Sequence, residues 1–271
     1  MNVIKMFKKR GESYFEILYK NIKVLQEITR VRRKKLLLKN INEQQDKIIF
    51  ADKRIETLFY EVYRKRFKNR ELDAVVALLM KDLERFKFEE TSSVPQSYEP
   101  QYTSFKNRYD KLRTINLLSH TVRVFMVACK EGQDYPDRFM EHVAILALAH
   151  DFGKNSEVIE LASEGKKEKH NQISARYLGL VMRSMNRYGD DLISALEYAL
   201  FFHHAPNIEA NVSAEPIRNE YIDMLNKCDG IARDEELKIV NENIRIIKEE
   251  ANREQEIKSI LQDKEKAEEG A

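Results

Sequence analysis

The sequence predicts an all-α protein, a helical bundle preceded by a basic helical arm, and three observations lead to that reading. Apolar residues recur three and four positions apart through most of the chain, no pair of strand-like segments competes with them, and breakers are scarce, with 8 Gly and 5 Pro. Apolar residues make up 42% and charged residues 34% of 271 positions, which suits a folded protein with a real core and excludes collagen-like or wholly disordered classes.

All five prolines lie between Pro95 and Pro216, and the first 94 residues hold a single glycine, Gly11, so long uninterrupted helices are expected there. Phe15, Leu18, Ile22 and Leu25 form one apolar stripe, and Ile55, Leu58 and Val62 form another. The spacing drifts between Arg30 and Lys35, which favours a helical hairpin or short bundle over one continuous coiled coil. Residues 1–90 are read as a basic N-terminal domain, with 23 Lys+Arg against 14 Asp+Glu, a balance that suits nucleic acid or an acidic partner.

Residues 91–107 contain TSSVPQSYEPQYTS, whose two prolines and small polar residues read as a linker. Helical patterns then recur at 115–129, 137–149, 171–185, 191–202 and 215–232, and residues 108–236 are read as a second helical domain. A charged helix is expected over 237–271, fraying at its end.

Two cysteines, Cys129 and Cys228, allow neither a disulfide framework nor a cysteine zinc site. The apolar run Val143 to Ala149 falls far short of the ~20 residues a membrane helix requires, and Met1 to Arg10 lack the pattern of a secretory signal. The expected location is the cytoplasm, with no membrane partner.

Five of the six histidines fall in an ordered series: His120, His150-Asp151, His170, His203-His204, then Asp229. Imidazoles with a few carboxylates suit Fe, Mn, Zn, Co or Ni, whereas Mg or Ca prefer oxygen-dominated sites. His120 sits inside the apolar pattern LLSHTVRVFMVA, and His150-Asp151 closes HVAILALAHD just before Gly153. Unpaired polar groups in such places are costly, so a shared cation is the expected partner. His142 belongs to no pattern and is read as a surface or packing residue. Arg123 is left outside the site, because it is as suited to pairing with an acid as to reaching a phosphate.

The chain here resembles the HD superfamily of metal-dependent phosphohydrolases, through HTVRV at His120, AHDFGK at 149–154 and NKCDGIAR around Asp229. The order H…HD…H…HH…D is similar to its two-metal branch, which includes cyclic-dinucleotide phosphodiesterases. The resemblance implies two divalent transition metal ions, one held by His120, His150, Asp151 and Asp229. The other would be held by His170, His203 and His204, with Asp151 as the bridge. Catalysis is assigned to Asp151 and to Lys154, whose place in HDFGK matches the family's HDxGK motif and implies phosphate binding; Arg233 is a weaker second. After His204 the chain reads APNIEANVSAEP where one branch carries Gly-Tyr-Pro, so a cyclic di-GMP preference is not supported.

The function expected is hydrolysis of a phosphoester in a small phosphate-containing molecule, a nucleotide or cyclic dinucleotide. One alternative is an HD-type nuclease or relaxase-like enzyme using residues 1–90 on nucleic acid. Another is a non-catalytic regulatory module that binds a protein partner.

Overall fold

The computed structural model describes residues 48–94, 108–163, 168–204 and 216–269. Among them the regular secondary structure is all helical, apart from one isolated bridge between Ser92 and Asn116. In chain order the helices are α1 (Lys53–Thr57), a π-helical segment (Leu58–Tyr63), α2 (Arg64–Arg66), α3 (Asp73–Arg85) and α4 (Arg108–Leu112). There follow α5 (Leu117–Lys130), α6 (Asp137–Ala149), α7 (Ser156–Ala162), α8 (His170–Ser184), α9 (Asp190–Phe202) and α10 (Pro216–Glu269). No described helix is long and apolar enough to cross a membrane. The stripe from Phe15 to Leu25 and most of the 91–107 stretch lie outside the described residues.

α6 is the centre of the bundle because it is apolar on every side. Every residue from Phe139 to Ala149 is buried, and α3, α5, α8, α9 and α10 all pack on it. Each fully enclosed Val, Ile or Leu there contributes roughly 2 kcal/mol by leaving water. The two polar residues within this run are matched. His142 Nδ1 lies 2.6 Å from the Tyr221 hydroxyl, and Tyr63 donates to Glu141 Oε1 at 2.7 Å. His142 is thus a packing residue.

Residues 50–88 bury their apolar side chains in the same core as α5 to α10, where Tyr63 lies against Phe125 and Phe88 against Phe152. The long uninterrupted helices expected there are not found within 48–94. α2 ends at Phe67 in extended backbone, and α3 begins at Asp73. The cause is local: the Asn69 side chain accepts from the Glu71 N–H at 3.1 Å, a turn that competes with helix propagation. Beyond it, Ser93 is fully buried, and its N–H donates to the Ile115 carbonyl at 3.0 Å. At the other end of the chain α10 runs through residues 232–237 without a break.

Asp82 gives this core a pH dependence. Its carboxyl is buried on α3 and receives the Tyr177 hydroxyl at 2.7 Å. Burial pushes its pKa up to about 7, against the opposing effects of Tyr177 and Arg85. The folded state therefore holds the proton more tightly than the unfolded chain. The stability this adds is complete below the unfolded value of 3.8 and is lost as pH climbs through about 7. Asp82→Asn keeps the shape without the charge, so it should match the parent at pH 4 and melt about 5 °C higher at pH 8. Parallel melting curves for the two proteins from pH 4 to pH 8 would refute this account.

Candidate metal centre

Two helical hairpins carry the histidines to one end of the bundle. α5 turns back into α6 through Gly132, whose φ of 68° suits a residue without a side chain. His120, near the start of α5, thereby meets His150, the residue that caps α6. α8 turns back into α9 through Asn186 (φ 49°), so His170, the first residue of α8, meets His203 and His204 at the end of α9. The Asn171 amide fastens that pair of ends by donating to the Phe201 carbonyl. α10 packs against α5, α6 and α9 and brings Asp229.

The seven residues form two groups around Asp151. His120 Nε2 lies 3.3 Å from His150 Nε2, 3.1 Å from Asp229 Oδ1 and 3.5 Å from Asp151 Oδ2. His150 Nε2 is 3.4 Å from the same Asp151 oxygen. On the far side, His170 Nε2 is 3.0 Å from His204 Nε2 and 3.5 Å from Asp151 Oδ1. The His203 ring lies 3.9 Å from that of His204, centroid to centroid. One donor atom from each of His120, His150 and Asp229 falls within 4.8 Å of the others, and the same holds for His170, His203 and His204.

These groups fit cations better than they fit one another. His150 Nδ1 donates to the Ala147 carbonyl at 2.8 Å, and His203 Nδ1 to the Leu200 carbonyl at 2.6 Å. His120 Nδ1 faces the buried Glu236 Oε1 at 3.0 Å. Since these partners only accept, they hold a proton on Nδ1 and, in the neutral form of each ring, leave Nε2 as a lone pair. The lone pairs of His120 and His150 then face each other and two carboxylates, while His203 Nε2 and Asp151 Oδ1 have no hydrogen-bond partner. Acceptors facing acceptors in a buried place need a positive centre between them. Metal–nitrogen bonds of about 2.1 Å set neighbouring ligands about 3.0–3.4 Å apart, close to the separations found here.

Protonation follows the same logic. Burial holds His150 and His204 below the ordinary histidine range, His170 at about 4 and His203 at about 3. They are neutral at pH 7, the form that binds a metal. His120 differs: burial opposes its charge, but Asp229 and Glu236 outweigh burial and raise its pKa. Asp151 is held well below the usual carboxylate range, because Lys154 and the histidines around it override the effect of burial.

Lys154 and Arg233 meet the cluster from one side. Lys154 Nζ donates to Asp151 Oδ2 at 2.6 Å and to the Ser93 carbonyl at 2.8 Å. Arg233 donates to Ser93 Oγ at 2.9 Å and to Glu236 Oε2 at 3.2 Å, and approaches Asp229 at 3.7 Å. Glu236 and Ser93 were not anticipated from sequence. The available signal for Glu236 was its place seven residues after Asp229 and three after Arg233, on one helix face. Arg123 pairs with Glu235 at 3.4 Å, and the two cysteines are buried and free, with the Cys228 thiol pushed up to about 12 by burial.

Fold and donor set together define an all-α domain suited to holding cations. Residues 117–242, a little under half of the chain, match the family model of the HD domain, a domain of the superfamily of metal-dependent phosphohydrolases. The match takes in all seven predicted ligands and Glu236 but not Ser93. No curated protein and no solved structure matches the chain.

Proposed function

We propose that the protein is a two-metal phosphohydrolase that cleaves a phosphoester in a nucleotide or cyclic dinucleotide. The observation that carries this reading is Asp151, whose Oδ2 faces His120 and His150 while its Oδ1 faces His170. One carboxylate set between two donor groups is suited to joining two ions. His120, His150, Asp151 and Asp229 would hold one ion, and Asp151, His170, His203 and His204 the other. The donors suit Fe, Mn, Zn, Co or Ni. Such a pair supplies hydroxide from water near neutral pH and takes up charge on phosphoryl oxygens.

The remaining work falls to the chain's own groups. Ala147, Leu200 and Glu236 orient three imidazoles, and Lys154 brings a cation to the rim, where a phosphoryl oxygen gains charge in the transition state. A groove of about 960 Å³ opens beside Lys154, His170 and His204, with Lys87 and Lys169 also along it. That volume lies at the upper end of the ~300–1,000 Å³ range of small-molecule sites, which suits a nucleotide-sized substrate.

The test is elemental analysis of protein purified without chelator, followed by hydrolysis assays on nucleotides, cyclic dinucleotides and oligonucleotides. Two ions per chain with turnover of a nucleotide supports the reading, and a metal-loaded protein that leaves the whole panel intact defeats it. Lys154→Ala should keep its metal and lose roughly a hundredfold in kcat. Loss of metal in that variant would make Lys154 a structural partner of Asp151 instead.

A further inference from the structure

Arg233 lies among carboxylates but does not close on two of them. Its Nε is 3.7 Å from Asp229 Oδ1 and its Nη2 is 3.9 Å from Asp151 Oδ2, both beyond hydrogen-bond distance. Arginine–carboxylate pairs ordinarily settle at about 2.7–2.9 Å, often through two bonds at once. Asp229 Oδ1 is buried without a hydrogen-bond partner, so an open acceptor stands beside a guanidinium that is turned elsewhere.

Ser93 accounts for the gap. Its hydroxyl accepts Arg233 Nη1 at 2.9 Å and its carbonyl accepts Nη2 at 3.3 Å, while Glu236 Oε2 takes Nη1 as well, at 3.2 Å. The same carbonyl, with its two lone pairs, also accepts Lys154 Nζ at 2.8 Å. Ser93 is itself held: it is fully buried, and its N–H donates to the Ile115 carbonyl at 3.0 Å. Beside it, the Leu117 N–H donates to the Thr91 carbonyl at 2.7 Å. These bonds tie the segment to the chain entering α5, one turn before His120. Ser93 precedes the residues that match the HD domain, so this anchor comes from the segment in front of it.

We propose that Ser93 is a positioning residue that holds Arg233 back from Asp151 and Asp229 and so keeps their oxygens open to cations, a role that rests on the two-metal reading above. A guanidinium bonded to either carboxylate would compete with a metal ion for the same lone pairs. Lys154 is shared rather than withheld. Of the three N–H groups on its ammonium, Asp151 Oδ2 takes one and Ser93 a second, which leaves the third for the groove that Lys154 lines.

Calorimetric titration of the metal-stripped full chain with Mn(II) tests this. Ser93→Ala removes the hydroxyl and adds no bulk, so Arg233 should close on Asp229 and Mn(II) affinity should fall about tenfold. Ser93→Thr keeps the hydroxyl and should stay within about threefold of the parent. The same change is then made in Arg233→Gln, which keeps N–H groups for Glu236 but carries no charge to compete. There Ser93→Ala should cost less than about twofold. An equal loss in both backgrounds would mean that Ser93 acts through packing alone and overturns the proposal, as does unchanged affinity in Ser93→Ala. A parent protein that takes up no Mn(II) overturns this role together with the two-metal reading. One that binds two Mn(II) ions and hydrolyses nothing overturns the hydrolase reading and leaves the role of Ser93 to be decided by the affinities.

Discussion

On the two-metal reading proposed above, Asp151→Ala is expected to abolish binding of both metal ions and to reduce hydrolysis by on the order of a thousandfold or more. The expectation follows from position. Asp151 Oδ2 is shared by His120 and His150, and Oδ1 faces His170, so no other carboxylate in the cluster touches both groups. Removing it also leaves the Lys154 ammonium, which is nearly buried, with the Ser93 carbonyl as its remaining partner in this pair of contacts. An uncompensated buried charge costs several kcal/mol, so part of any loss in the alanine variant arises from weakened folding. Asp151→Asn separates the two effects, because it keeps volume and one hydrogen-bond acceptor while removing the charge. Elemental analysis and circular dichroism on both variants decide the matter. A folded asparagine variant that retains two ions and full turnover would remove Asp151 from the centre of the scheme.

How much of this was legible beforehand depends on what each residue contributes. The clustering of the candidate ligands was legible because histidine is a rare residue type and five of six stand in an order that suits a common partner. α6 was legible too, since a run as apolar as VAILALA following a helical pattern is a buried helix. Asn69 was not: its effect lies in one side-chain acceptor that captures the Glu71 N–H, and asparagine within a basic helical pattern gives little warning of that. Glu236 was hidden in ARDEELK, where acids are ordinary solvated residues and burial against His120 has no local signature. Ser93 was hidden more deeply. It acts through its carbonyl as well as its hydroxyl, groups that composition cannot single out, and it sits in a stretch whose small polar residues read as a linker. Residue types with unusual chemistry were readable, whereas backbone groups and common acids became meaningful only through tertiary contact.

Gly153 belongs to the second kind, and its substitution should separate the two proposed metal positions. In HDFGK it reads as a helix breaker, but its role in the fold is close approach: an added Cβ would lie 2.1 Å from the His170 carbonyl oxygen and 2.8 Å from the carbonyl carbon. Those atoms are backbone at the start of α8 and cannot swing aside as a side chain does. The Gly153 N–H also donates to Ser174 Oγ at 2.8 Å, fixing the same two segments together. Gly153→Ala must therefore push the first turn of α8 outward, taking His170 away from Asp151 Oδ1 and from His204. His120, His150 and Asp229 stand on α5, the end of α6 and α10, which this clash does not touch. One ion should stay while the other weakens by about ten- to a hundredfold, and a displacement of about 1 Å should lower kcat on the order of a hundredfold. Overpacking adds a stability loss of about 1–3 kcal/mol. Ser174→Ala serves as the counterpart, since it removes the hydrogen bond without the clash and should keep both ions. Metal stoichiometry measured across a titration gives the answer, and two tightly held ions in Gly153→Ala would mean that the second group does not depend on where α8 begins.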